Sequence, residues 1–239
     1  MCPNAVSIAY IELEYWGVRL LKEMLVKCRQ GKLEKKLKSE ITITVLILLM
    51  GTTLGVLSKL LDIVFVNEAI RWHRVFGLLD LRNVFSRLSV WALMALVIAV
   101  FSKRPLRASI NVFGFFVGML TGYYLTTIFV AGFFPQTYMI AWGIITLLTP
   151  IPAFFSWYSK GHGWLAIILS SIIIGFFFTQ AFSFGRWYVD ISNYDGIICF
   201  LLSIALLYRD KKQLLFSLIG ALIIAPLIKT CLPYIFGGL

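Results

Sequence analysis

The sequence predicts an all-α membrane protein: a polytopic bundle of about seven transmembrane helices, preceded by an N-terminal amphipathic interfacial helix. Composition is the first indication, because 60% of the 239 residues are hydrophobic and only 14% are charged. A soluble domain carries about 25% charged residues. The second indication is that the apolar residues form runs of about 20, the length that crosses ~30 Å of hydrocarbon.

The N-terminal leader differs from the rest of the chain, because polar side chains recur at helical spacing over residues 5–29. At ~100° per residue, Arg19 and Glu23 share one helix face and Leu25 lies opposite. Four lysines follow: Lys32, Lys35, Lys36 and Lys38. The pattern predicts a basic cytoplasmic leader over residues 1–40. This leader lies on anionic lipid headgroups, packs against the bundle or is solvated.

The predicted transmembrane domain, residues 41–239, contains seven apolar segments. They run over residues 41–64, 86–102, 108–131, 138–158, 164–184, 196–208 and 214–236. The sixth is short, but it reaches the length of a span if Tyr194 and Tyr208 lie among the headgroups. Merging it with a neighbour would bury the charged residues 209–212, so six spans is the less favoured count.

The distribution of Lys and Arg predicts the orientation in the membrane. With the N-terminus in the cytoplasm, the inner segments hold 15 Lys and Arg residues and the outer segments hold 5. We therefore expect a plasma-membrane protein with a cytoplasmic N-terminus and an external C-terminus. The net charge of +11 then reflects contact with anionic headgroups, and nucleic acid is not an expected partner.

Glycines recur every fourth residue in two of the predicted spans. They are Gly51 and Gly55 in the first span, and Gly114, Gly118 and Gly122 in the third. Such spacing leaves one helix face almost without side chains, so that another helix can approach closely. We expect these faces to pack on helices of this chain, of a protein partner or of a second copy. A glycine-lined solute path is the alternative.

Two prolines, Pro150 and Pro152, interrupt the fourth span a little past its middle. Proline lacks an amide donor and disfavours helical geometry in the residue before it, so we predict a kink or a break here. Such breaks are ordinary in membrane helices, but they also line substrate sites in transporters.

Three ionisable residues, Lys59, Asp62 and Lys229, lie inside predicted spans. A charge in hydrocarbon costs ~2.5–3.5 kcal/mol on insertion scales, so each requires a partner or a water-filled cavity. Lys59 and Asp62 are spaced to pair on one helix face. One hypothesis is an outward-facing cavity in which all three bind an anionic or zwitterionic solute, or relay a proton. In the alternative, both lysines reach the headgroups and Asp62 pairs locally.

The sequence shows no signature of a cofactor, a metal or a familiar enzyme. The cysteines form no Cys-x-x-Cys pair, and His73 and His162 are isolated from other metal-ligating residues. Zinc-hydrolase, serine-hydrolase and phosphate-loop motifs are missing as well. We therefore expect no metal or cofactor, and an intramembrane enzyme is the least favoured function.

Three stretches carry a resemblance to other proteins: Gly55-Val56-Leu57-Ser58-Lys59-Leu60-Leu61-Asp62, Phe85-Ser86-Arg87-Leu88-Ser89-Val90-Trp91 and Gly132-Phe133-Phe134-Pro135. They resemble a family of small polytopic membrane proteins of Gram-positive bacteria that has no assigned function. The resemblance covers roughly residues 45–210 and leaves the leader outside. It implies a bacterial plasma-membrane location and supplies no catalytic or binding residues. In size and hydropathy alone, the chain also resembles substrate-binding membrane subunits of vitamin importers.

Together these features make a small-solute transporter, or the membrane-embedded substrate-binding subunit of one, the first expectation. Its solute would contact Lys59, Asp62 and Lys229. The alternative is a non-transport scaffold, immunity or assembly protein that acts through its glycine-lined helix faces.

Overall fold

The computed structural model of the chain is a bundle of α-helices, described over residues 19–20, 22–31, 37–63, 84–132, 136–185 and 187–231. The helices are α1 (Leu37–Ile63), α2 (Leu88–Phe101), α3 (Pro105–Thr126), α4 (Gln136–Leu148), α5 (Pro150–Ser159), α6 (Gly163–Ala181), α7 (Tyr194–Leu207) and α8 (Lys211–Cys231). A π-helical turn, Thr127–Ala131, extends α3. Strands β1 (Phe182–Phe184) and β2 (Val189–Ile191) pair antiparallel between α6 and α7. The all-α class is confirmed, although the predicted fifth span ends early, at this hairpin.

Several helices have the length and composition needed to cross a membrane. Within the described residues, α1, α3, α6 and α8 each meet both requirements. Helices α4 and α5 provide a fifth crossing if they are counted as one broken span. Helices α2 and α7 are apolar but have only 14 residues each, which is about 21 Å at ~1.5 Å per residue. The capacity to span a membrane is confirmed, and the count of seven stays a prediction.

Contacts among the helix termini define two ends of the bundle. At one end, which we call the leader end, residues 26–31 approach the C-termini of α2 and α5. At the other, the hairpin end, β1 and β2 connect the C-terminus of α6 to the N-terminus of α7. An ion pair between Arg87 and Asp195 joins the N-termini of α2 and α7 at the hairpin end.

The glycine spacing marks the contact between α1 and α3. At Gly51, Gly55, Gly118 and Gly122 an added Cβ would collide with the backbone of the facing helix. Gly51 faces Phe115 and Gly55 faces Met119, so the two helices run parallel. Gly114 is less crowded, since its nearest neighbour is the Thr44 methyl group at 3.7 Å. The packing interpretation is therefore confirmed at four of the five glycines.

The span that contains two prolines is broken, as predicted. Helix α4 ends at Leu148 and α5 begins at Pro150, with a bend of 47° between them. The hydroxyl of Ser109 in α3 donates a hydrogen bond of 2.8 Å to the Pro150 carbonyl. A neighbouring helix thus supplies a hydrogen bond near the break.

The described part of the leader packs against the bundle. Residues 22–28 are helical, and the residues before 19 lie outside the description, as do the side chains of the four leader lysines at 32–38. Leu25 and Cys28 contact the hydrophobic core. Helix α1 begins at Leu37, so the predicted boundary between residues 40 and 41 falls inside this helix.

Candidate functional site

Lys59 and Asp62 lie together near the C-terminus of α1, as their spacing predicts. The Lys59 Nζ is 3.8 Å from Asp62 Oδ2, and Lys59 is 8% exposed. The Tyr123 hydroxyl of α3 donates a hydrogen bond of 3.2 Å to the same carboxylate oxygen. The Lys59 ammonium also lies 5.3 Å from the centre of the Tyr123 ring. Tyr123 therefore joins the pair in one polar cluster.

Lys229 contacts a different element. Its ammonium donates a hydrogen bond to the carbonyl of Phe184 in β1 and lies 4.5 Å from the centre of the Phe184 ring. The side chain is exposed. The structure thus brings Lys59 and Asp62 together, whereas the described contacts of Lys229 attach the end of α8 to the hairpin.

The space beside Tyr123 is small. The cavity that Tyr123, Tyr124, Tyr138 and Trp142 help to line has a volume of about 20 Å³. A single water requires ~10–15 Å³, so the part of this space that the described residues line holds about one water. Residues 64–83, which follow α1, lie outside the description.

A much larger cavity, of about 630 Å³, lies at the leader end. Its lining residues are Val26, Lys27, Cys28, Arg29, Gln30, Val100, Phe101, Lys160, His162, Tyr208 and Arg209. We call it the basic cavity, because these described lining residues include four Lys and Arg and no Asp or Glu. Its volume falls within the ~300–1,000 Å³ that is typical of small-molecule sites.

The C-termini of helices explain why cations gather here, since carbonyls without helical partners attract positive charge. Arg29 donates hydrogen bonds to the carbonyls of Val100 at 3.1 Å and Trp157 at 2.5 Å. Its guanidinium also lies 4.1 Å from the centre of the Trp157 ring. Lys160 donates to the Leu206 carbonyl at 2.8 Å. These bonds connect the leader to α2 and α5, and the α5–α6 turn to α7.

Arg209, in the turn between α7 and α8, also lines the basic cavity. Its guanidinium donates to the Lys160 carbonyl and places Nη2 2.5 Å from His162 Nε2. The His162 amide in turn donates to the Cys28 carbonyl at 2.8 Å. This approach requires a glycine at position 161, because an added Cβ there would lie 2.6 Å from the Cys28 carbonyl oxygen. The leader and two turns therefore form one hydrogen-bonded unit.

Charges of one sign lie close together in the basic cavity. Burial lowers the pKa of Lys160, and the charges of Arg29 and Arg209 lower it further. Burial likewise lowers the pKa of Arg29, with a smaller contribution from Arg209. An anion bound here would relieve this repulsion. It would find donors as well, because a guanidinium has more N–H groups than these carbonyl contacts use.

A buried carboxylate balances the cations of the neighbouring turn between α2 and α3. Glu40 is 4% exposed and forms ion pairs with Arg104 at 2.6 Å and Arg107 at 2.5 Å. In the sequence, Glu40 falls at the end of the predicted leader, and both arginines contribute only to the predicted orientation. Glu40 instead joins α1 to α3 and offsets part of the charge of these arginines.

Comparison with protein-family profiles, with curated protein sequences and with solved structures finds no match for this chain. Over the described ranges, no group of three His, Cys, Asp or Glu side chains is placed to hold a metal ion.

Proposed function

We propose that this chain is a seven-span plasma-membrane protein with a cytoplasmic N-terminus that binds an anionic small molecule in the basic cavity. Such a site fits a small-solute transporter or the membrane-embedded substrate-binding subunit of one. The observation that carries the proposal is the cavity of about 630 Å³ with Lys27, Arg29, Lys160 and Arg209 in its lining. No carboxylate balances them among the described lining residues.

The short helices α2 and α7 are the two further spans that raise the count from five to seven. Both are apolar, and Trp91, Ala99 and Val100 of α2 are buried in the core together with Cys199 and Leu207 of α7. Short helices are accommodated by local thinning of the bilayer. In this proposal the leader end lies on the cytoplasmic side, which is supported by the Lys and Arg residues that accumulate there.

The topology is tested with reporters fused to either terminus. Seven spans place the two ends on opposite sides of the membrane, with the N-terminal reporter in the cytoplasm. Reporters on the same side would overturn the seven-span arrangement.

Anion binding is tested by thermal unfolding of the purified full chain in an uncharged detergent. Inorganic phosphate and glycerol 3-phosphate should raise the unfolding temperature, because a ligand that binds only the folded state stabilises it. Glycerol is the uncharged control and should have no effect. If no anion of any size, including an anionic lipid, shifts the transition, the proposal is wrong.

The hairpin end offers a second candidate site for a solute or a proton. A buried lysine paired with Asp62, which also accepts a hydrogen bond from Tyr123, is an unusual arrangement inside a span. In this candidate Lys229 contacts the solute from α8. Asp62→Asn should then abolish stabilisation by the solute, whereas Asp190→Asn, at an exposed strand position, should not. An undiminished response in Asp62→Asn would remove the candidate.

A further inference from the structure

An apolar groove lies next to the basic cavity, between α1 and α2. It has a volume of about 220 Å³, and its apolar walls are Ile43, Ile47, Val97, Ile98 and Phe101. The polar residues of the groove are Glu40, Ser102, Lys103, Arg107 and Asn111. Phe101 borders both the groove and the basic cavity and is 70% exposed. One amphiphilic molecule can therefore occupy both spaces.

We infer that the ligand is an anionic phospholipid, with its phosphate in the basic cavity and an acyl chain along the apolar groove. This inference rests on the proposed function and names the class of its ligand. Basic pockets between membrane helices on the cytoplasmic side are suited to anionic headgroups. The groove adds an apolar wall that faces the hydrocarbon. An acyl chain can pack against this wall, whereas a free anion cannot use it.

The donors of the basic cavity match a phosphate in particular. Arg29 and Arg209 present guanidinium groups with more N–H donors than their contacts with backbone carbonyls and His162 use, so each can also donate to a phosphate oxygen. Lys27 is exposed at the rim and adds a point charge. The same cations repel the ammonium group of a zwitterionic lipid, so the site discriminates by headgroup charge as well as by the phosphate.

Two comparisons on the wild-type full chain test the inference, after exchange into an uncharged detergent that removes native lipid. Dioctanoyl phosphatidylglycerol should raise the unfolding temperature by about 5–10 °C at about a hundred times its Kd. Dioctanoyl phosphatidylcholine should give a much smaller rise. Inorganic phosphate should require at least about a tenfold higher concentration for the same rise, because it leaves the groove empty.

The outcomes separate the inference from the function on which it rests. If phosphate is as potent as phosphatidylglycerol, anion binding stands and the lipid is overturned as the ligand. If phosphatidylcholine is as potent as phosphatidylglycerol, recognition of headgroup charge is overturned. If none of the three stabilises the protein, the inference fails, and if glycerol 3-phosphate has no effect either, the proposed function fails with it.

Two variants locate the ligand. Val97→Trp fills the groove and should raise the half-saturating concentration of phosphatidylglycerol about tenfold without changing the response to phosphate. Leu222→Trp, on the exposed surface of α8 and outside both cavities, is the matched control. Lys27→Gln should weaken both responses about fivefold, whereas Lys22→Gln should weaken neither.

If Val97→Trp does not fold, native mass spectrometry of the wild type provides the second measurement. Phosphatidylglycerol should remain bound in the presence of a tenfold excess of phosphatidylcholine. Its displacement by phosphatidylcholine, or an undiminished response to phosphatidylglycerol in a folded Val97→Trp protein, would overturn the inference.

Discussion

The ion pairs of the hairpin end and the basic cavity of the leader end hold their charged side chains with different partners. At the hairpin end, Lys59 lies 3.8 Å from Asp62, and Arg87 lies 2.6 Å from Asp195. At the leader end, Arg29 and Lys160 bind backbone carbonyls in a cavity whose described lining has no carboxylate. An ion pair cancels its own charge, and the Arg87–Asp195 pair also joins α2 to α7. A cation held on carbonyls also fixes helices but leaves a positive potential, so the leader end is the better place for an anionic ligand.

The largest effect should come from disrupting the interface between α1 and α3, which runs between the two ends of the bundle. Gly118→Leu places a side chain against the backbone of α1, so α1 and α3 cannot approach, at a cost of about 3 kcal/mol or more. We expect loss of the monodisperse species in size-exclusion chromatography. Gly143→Leu is the control, because a Cβ there meets nothing within 4 Å. Equal behaviour of the two variants would contradict the packing account.

A smaller loss of stability should follow when a charge pair is broken at the hairpin end. Asp195→Asn removes the negative partner of the partly buried Arg87, which should lower the free energy of unfolding by about 1–3 kcal/mol. Asp190→Asn, in exposed β2, should change it by about 0.5 kcal/mol or less. Chemical unfolding of both variants measures the difference, and similar values would show that the Arg87–Asp195 pair contributes no stability.

Removing a cation from the leader end should change the free energy of unfolding in the opposite direction. Without ligand, Lys27→Gln should keep or slightly raise the free energy of unfolding, by up to about 0.5 kcal/mol at low salt, because cations there repel one another. Lys22→Gln, exposed on the same helix, is the control. A clear destabilisation by Lys27→Gln alone would mean that Lys27 has a structural partner.

A change in salt concentration should have the smallest effect on stability. It should weaken anion binding at the leader end more than the ion pair at the hairpin end. Raising the ionic strength from about 0.05 M to about 0.5 M shortens the screening length to a few ångströms. The stabilisation by a fixed concentration of anion should therefore fall. The loss of stability caused by Asp195→Asn should change little with salt, because Arg87 and Asp195 are partly buried and in direct contact. Thermal unfolding at both salt concentrations measures this, and a salt-independent response to anions would argue against a charged site.

The backbone architecture was largely predictable because its signals are local. Apolar runs predict where helices lie, and Pro150 fixes the break between α4 and α5. The spacing of Gly51 and Gly55 predicts close packing, and the spacing of Lys59 and Asp62 predicts their pairing. Each of these depends on residues within one or two helical turns.

The basic cavity was not predictable, because its residues come from distant segments. Arg29, Lys160 and Arg209 served only to predict orientation, and orientation groups them on one side of a membrane without bringing them into contact. Lys229 illustrates the same limit, since its partner Phe184 lies in β1, where the sequence predicts the end of a helix. Glu40 carried one usable signal, a single carboxylate at the start of an apolar run.

Hydrogen–deuterium exchange of the full chain, with and without an anionic ligand, tests the central claim most directly. We predict that phosphatidylglycerol slows exchange in residues 26–31, in the α5–α6 turn and in the α7–α8 turn, and leaves the hairpin end unchanged. Protection confined to the hairpin end around Asp62, or no protection at saturating ligand, would contradict a ligand site at the leader end.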